Sequence, residues 1–434
     1  MQKLIYFTLN TFAVLAAFIG LLNLPAFVNA TRGAGSLMSY IMLGCTLLLA
    51  IRFSLKSQFD SNNTLTLLTI TILSYLGIST FNAIIWEENL VTAGGNQTEN
   101  LVYVARVMLQ TTVLMVGSYK YALFSYSQGQ LHRYINILIV IMLFGAVITI
   151  LSPFLGFYSQ GFFIETSTSG TLARPAGFYM NPNSAGYHAV ATLLLVISLL
   201  FRTKTSRILV SILIFITLLS AFITLSKGAI LMCLITIFTY FSIGTVSFQR
   251  LQSKSKTSLL LVGGFIVGTI VQTVLYLISN FNQLTKFEQS RLNEVMGLLG
   301  GKLNTETTTS RSDLAATGFE WISKAPIFGW GFGAFHYFRF GGDAGVHNMF
   351  LMLMGESGVI PTLLYIIFYL FGIYKSLKIK NIEYRYMSLT FFLFTLFFAN
   401  GSHNLFDNYE IGFLFGLICA LDKMDNIERN AIEN

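Results

Sequence analysis

The feature that most constrains this chain is a succession of apolar runs about 20 residues long, each sized to cross a bilayer core of roughly 30 Å. They predict twelve spans, near 4-23, 37-55, 64-86, 101-126, 134-157, 184-201, 206-224, 228-248, 258-280, 348-374, 386-400 and 406-421. Only 11% of the 434 residues are charged, against about a quarter in soluble domains. With 54% hydrophobic residues and a mean hydropathy of +0.66, the expected fold class is all-α, a polytopic membrane protein. Cys45, Cys233 and Cys419 each fall inside an apolar run, which argues against a disulfide framework or a cysteine metal site and leaves them as packing residues. The first run follows Lys3 and exceeds the apolar region of a signal peptide, about 7 to 15 residues, so it reads as an uncleaved first span.

Twelve spans place both termini on one side. If that side is the cytoplasm, the inner loops and tails hold seventeen of the 27 basic residues, and the short outer loops hold only Arg32, Arg174 and Lys227. The net charge of +8 is then a topology signal, and a nucleic-acid partner is not implied. One long polar interval interrupts the spans, Phe281 to Val346, with six cations balanced by six carboxylates. It divides the chain into N-terminal spans with short loops (1–183), core spans (184–280), a large outer loop (281–346), and C-terminal spans with a tail (347–434). Inside the loop, Arg291 to Leu299 and Asp313 to Ser323 have apolar residues at helical spacing and predict short surface helices. The run Thr305 to Ser312 reads as a polar turn capping the second.

Four positions bring polar chemistry to the outer face. In LARPAGFYMNPNSAG, from Leu172, the Arg-Pro and Asn-Pro pairs force a bent approach before a helix beginning near Ser184. Arg174 there is either a snorkelling anchor or an anion contact. In TLSKGA, Thr224 to Ala229, almost no loop separates two spans, so Lys227 is pinned at the bundle's mouth as a phosphate contact or an anchor. Arg311 precedes a glycine-rich aromatic stretch, PIFGWGFGAF, that lacks the spacing of a dinucleotide fingerprint. Its aromatic residues are expected at the membrane interface or stacked on sugar rings. Finally, His347 and Asn348 stand where the polar loop meets the tenth span, and Glu356 lies nine residues beyond His347. A histidine titrates at about 6.5, so neutral imidazole can accept a proton. A carboxylate buried in the span requires a partner, either a group it orients or a cation. His132, His188, His336 and His403 have no comparable setting, and no cluster of His, Asp and Glu has metal-ligand spacing.

From Arg174 to Gly358 the chain resembles the O-antigen ligase and Wzy-type O-antigen polymerase superfamily of bacterial inner-membrane glycosyltransferases. The resemblance is carried by RPAGFYMNPNSAG, TLSKGA, Arg311 to Trp321 with PIFGWGFGAF, and His-Asn followed by Glu356-Ser357-Gly358. It implies about a dozen spans and one large periplasmic loop, with both termini cytoplasmic. It also implies inverting transfer of a glycan from undecaprenyl pyrophosphate to an acceptor hydroxyl, without metal or other cofactor. The acceptor would be lipid A core in a ligase, or a lipid-linked repeat in a surface-polysaccharide polymerase. Under it, His347 is the general base, while Arg174, Arg311 and Lys227 bind the pyrophosphate; Asn348, Glu356 and Asn183 support them. Relatives often carry Ser-Arg where this chain has Ser226-Lys227, and lysine offers a point charge instead of a fork. Pro361 departs from the small or polar residue of the ligase pattern. A protein O-oligosaccharyltransferase ranks third, since the extra C-terminal region usual there is not found in this sequence. A lipid-linked oligosaccharide flippase or transporter is the reading from another class. It is disfavoured by the scarcity of intramembrane ionisable residues, of which Arg106 and Glu356 are the clearest.

Overall fold

Apolar segments of bilayer length become helices because a chain in lipid must satisfy its backbone polar groups internally. The computed structural model describes residues 2–32, 35–54, 62–85, 97–155, 157–158, 161–162, 175–179, 181–202, 205–248, 264, 268, 305–335, 347–402, 405–406 and 408–433. Its helices are α1 (Gln2–Leu21), α2 (Leu24–Arg32), α3 (Gly35–Ser54), α4 (Asn63–Ile85), α5 (Gln97–Ser127), α6 (Leu131–Leu155) and α7 (Pro182–Ser198). They continue with α8 (Arg207–Ile223), α9 (Lys227–Phe248), α10 (Thr305–Lys324), α11 (Met349–Ser357), α12 (Val359–Lys378), α13 (Ile382–Gly401) and α14 (Tyr409–Glu433). A two-residue antiparallel pair, Phe157–Tyr158 with Gly161–Phe162, and a 3-10 turn at Gly177–Tyr179 follow α6.

Every predicted span that falls on described residues coincides with a helix, and span 258-280 lies outside them apart from Gly264 and Gly268. Among the described residues, four segments are long and apolar enough to cross a membrane: Asn63–Asn82, Leu131–Leu155, Pro182–Phe201 and Val359–Lys378. Shorter apolar helices lie at Thr8–Leu21, Leu37–Leu49, Arg207–Ile223 and Lys227–Ile243. On α12, Leu363, Ile367 and Leu370 are exposed although apolar, which suits a lipid-facing surface.

One span differs from expectation. The interval 348-374 is two helices, broken at Gly358, whose φ of 77° only glycine adopts without strain. Space reinforces the choice, since a Cβ at Gly358 would lie 1.9 Å from the carbonyl oxygen of Ile327. The stretch expected as a polar turn, Thr305 to Ser312, is instead the beginning of α10.

Interior contacts set the helices' ends in register. Asn62 caps α4 by accepting from Thr64 and Leu65 N–H, and its Nδ2 donates to the Cys419 carbonyl of α14 at 2.7 Å. Near that end of α14, Asp425 accepts from Lys380 and Asn381 N–H and pairs with Arg429. Arg202, after α7, donates from Nε and Nη2 to Glu383 and from Nη1 to Asn136. At the opposite end, Glu410 of α14 meets His188 of α7. The distal part of α4, Ser79 and Asn82, holds the backbone of Phe332 and Phe328. Between these ends α14 packs on α5 at close range: a Cβ on Gly412 would meet Thr111 at 2.3 Å, and one on Gly416 the Met115 carbonyl at 2.1 Å. Glycines four apart let two backbones approach where lipid supplies no hydrophobic driving force between helices. Cys45, Cys233 and Cys419 are buried and free.

Candidate functional site

Of the seven expected site residues, His347, Asn348, Glu356, Lys227 and Asn183 have described side chains, each at or near the end of a helix. His347 is exposed immediately before α11, and Asn348 is that helix's N-cap, its Oδ1 accepting from Phe350 N–H at 2.9 Å and Leu351 N–H at 3.1 Å. The cap fixes where the helix begins, so the imidazole leaves the chain at the helix mouth.

Glu356 sits at the other end of α11 and is fully buried. Sequence reasoning offered it a cation or a group to orient; the structure gives it the Tyr75 hydroxyl at 2.5 Å and the Phe335 N–H at 2.9 Å. Two donors on one carboxylate offset the desolvation of the charge. The same junction secures the glycine-rich stretch, because Trp330 N–H donates to the Gly355 carbonyl and Gly331 N–H to that of Glu356. A Cβ on Gly329 would lie 2.5 Å from the Glu356 carbonyl carbon. Phe332 and Phe335 are therefore buried core, 6% and 1% exposed. This corrects the expectation that they face the interface or sugar. Trp330 packs edge-on against Trp321, and its Nε1 donates to the Trp321 carbonyl. Lys324 lies 4.1 Å over the Trp321 ring and pairs with Glu320.

Lys227 is half-buried at the first position of α9. Leu225 takes φ 51° in the connection, which lets two spans join with almost no loop. Ser226 then caps α9 through Ala229 N–H. α9, which Lys227 opens, and α11, which His347 and Asn348 precede, both pack on α13. Arg311 lies within α10, which packs on α11; its side chain is outside the described residues, and so is the whole of Arg174. Asn183 sits in the first turn of α7, its N–H donating to Asn181, the residue that caps the helix with Pro182 behind it.

Sequence reasoning missed His188. It was assigned no special setting, yet it is 1% exposed, with Nδ1 2.9 Å from Glu410 Oε1 and Nε2 2.8 Å from the Met142 carbonyl oxygen. Tyr179 stacks on it, centroids 4.5 Å apart, and donates its hydroxyl to the Leu21 carbonyl. The available signal was a histidine in the second turn of one predicted span and a glutamate near the start of another.

Among the described residues, no group of three His, Cys, Asp or Glu side chains could hold a metal ion. No protein-family model matches the chain, and no curated protein is similar to it.

Proposed function

We propose that the protein is a membrane-embedded glycosyltransferase moving a glycan from undecaprenyl pyrophosphate to an acceptor hydroxyl with inversion, the acceptor being lipid A core. The observation that carries the reading is the exposed imidazole of His347 at the capped mouth of α11, a helix that shares α13 as a packing partner with α9, which Lys227 opens. His347 would take the acceptor proton. Arg174, Arg311 and Lys227 would meet the charge developing on the departing pyrophosphate. Asn348 and Glu356 support the site by fixing both ends of α11. The described cations favour a periplasmic orientation of this face, since Arg202, Arg207, Lys375, Lys378, Lys380, Arg385, Lys423 and Arg429 gather at the other end. Twelve spans, a periplasmic loop and residence in a bacterial inner membrane complete the proposal.

The test is His347→Ala in vesicles reconstituted with lipid-linked glycan. Transfer should disappear while protein level and lipid translocation persist; undiminished transfer removes the proposal. A polymerase is the alternative within the same chemistry. A deletion strain separates the two: bare core with accumulated long lipid-linked polymer marks a lost ligase, and core carrying one repeat marks a lost polymerase.

A transporter of the same lipid-linked sugars is the second reading. It is favoured by two observations, the buried His188–Glu410 pair and the helix broken at Gly358, because transporters place ionisable groups and interrupted helices inside the membrane. A wild type that translocates the lipid-linked glycan without transferring it, and a Glu410→Ala variant that loses this translocation, would select it.

A further inference from the structure

We infer that His188 and Glu410 are positioning residues for the outer mouth, acting through Tyr179 to fix the turn at 175–179 and the start of α7. The protons decide the pair's character. Met142 offers His188 Nε2 a backbone carbonyl, which only accepts, so Nε2 carries hydrogen. Nδ1 faces a carboxylate oxygen at 2.9 Å, so one further proton lies between them. Whether that proton resides on nitrogen or oxygen, the pair is neutral as a whole. This is the form a buried pair needs where water cannot compensate a net charge.

Around this neutral unit five elements converge. α6 contributes Met142 and Gly145, where a Cβ would lie 2.7 Å from His188 Nε2 and 2.9 Å from the Tyr179 hydroxyl. α1 contributes the Leu21 carbonyl, α7 contributes Thr192 beside the ring, and α14 contributes Glu410. The fifth is the 3-10 turn, whose Tyr179 lies flat on the imidazole, so the ring is the floor on which the turn rests. The turn is also held elsewhere: Gly177 N–H donates to Ser152 Oγ, Tyr179 N–H to the Ala176 carbonyl, and Phe178 packs against Phe27 and Phe144. Gly177 takes φ 55° and lies so close to α6 that a Cβ would meet Thr149 Oγ1 at 2.6 Å. The chain then passes to Asn181, which caps α7. Shifting the imidazole would therefore move the polar approach that precedes α7, with no direct contact between the pair and any ligand.

The exchange arm below stands by itself; the binding arm rests on the pyrophosphate reading. Deuterium uptake is followed in nanodiscs for peptides covering 175–185, in wild type, Glu410→Gln, Glu410→Ala and Tyr179→Leu. Glutamine at 410 donates an amide hydrogen to Nδ1 and leaves Nε2–H on Met142, so Glu410→Gln should match wild type. Glu410→Ala and Tyr179→Leu should raise uptake in 175–185 while α12 and α13 keep theirs. Tyr179→Leu leaves no buried charge unpaired and serves if Glu410→Ala does not fold. Unchanged uptake in Tyr179→Leu, loss of protection throughout the bundle, or a Glu410→Gln that behaves as Glu410→Ala would each overturn the inference. Undecaprenyl pyrophosphate is then titrated as the probe. Tyr179→Leu should weaken it about tenfold or more, as misplacement of a positioned contact does, and Glu410→Gln should not. A wild type that fails to bind the probe overturns the pyrophosphate reading alone, and the exchange result still decides the positioning role.

Discussion

Tyr75 of α4 donates its hydroxyl to Glu356 of α11 at 2.5 Å, with both side chains fully buried. That bond crosses from a long membrane helix to a nine-residue one, and the same carboxylate holds the glycine-rich stretch through Phe335 N–H. Removing the phenol hydroxyl should leave the carboxylate short of a donor. Tyr75→Phe is expected to cost about 1.5 to 3 kcal/mol, the worth of a hydrogen bond to a charged group. Glu356→Ala should cost more, because Phe335 N–H is orphaned as well. Equilibrium unfolding of both single variants and the double variant measures the coupling; additive losses would show that the two residues do not act as a unit.

Much of this architecture was legible in the sequence, and the misses share a cause. Apolar length is a local signal, so the spans that fall on described residues were placed within a few positions. The boundary at His347 and Asn348 was visible because polarity changes there. The break at Gly358 was not, since Val359 and Ile360 continue the apolar run and the partner that requires glycine, Ile327, comes from the preceding loop. His188 was missed for a stronger form of the same reason: its partner Glu410 is 222 residues away. Phe332 and Phe335 were misassigned because an aromatic residue in a polar loop is compatible with both an interface and a core, and only α4 and α11 decide between them.

The α5–α14 contact predicts a steep dependence on side-chain size. Gly416→Ala places a methyl group against the Met115 backbone, which cannot rotate away, and overpacking of this kind costs about 1 to 3 kcal/mol. Gly416→Leu should prevent folding altogether. Gly44, where a Cβ would meet nothing within 4 Å, is the control, and Gly44→Ala should be neutral or slightly stabilising. Unfolding in detergent, with the three variants compared side by side, checks the order.

Asp422 lies just beyond the apolar part of α14, where burial raises its pKa above the usual carboxylate value and Lys375 and Arg429 offset part of the rise. A carboxyl whose folded pKa is raised binds its proton more readily in the folded state. Its ionised form therefore destabilises the fold at neutral pH, and that penalty fades as pH falls through the folded pKa. Asp422→Asn should accordingly be more stable than wild type at pH 7, with the difference shrinking toward pH 4. Melting temperatures of both proteins across that range test the sign, and an advantage that grows on acidification would contradict it.

Lys227 separates the anion-contact reading from the anchor reading. It occupies the first position of α9, whose first turn holds no acidic residue, so its charge sits at the positive end of the helix dipole. That placement costs about 0.3 to 1 kcal/mol at an exposed terminus, and a negative ligand at the mouth would be drawn to both the ammonium and the helix end. Under the proposed function, Lys227→Met should lower kcat/KM for the lipid-linked donor about ten-fold or more, the worth of a charge-assisted bond, with a fall in kcat because the charge it meets develops on the leaving group. Lys227→Arg should keep kcat/KM or improve it, because a guanidinium offers phosphate a bidentate fork. An interfacial anchor behaves differently: Lys227→Met would then alter membrane insertion or thermal stability and leave kcat/KM where it was. Steady-state kinetics of the two variants, alongside their melting temperatures in the same lipid, distinguish these outcomes.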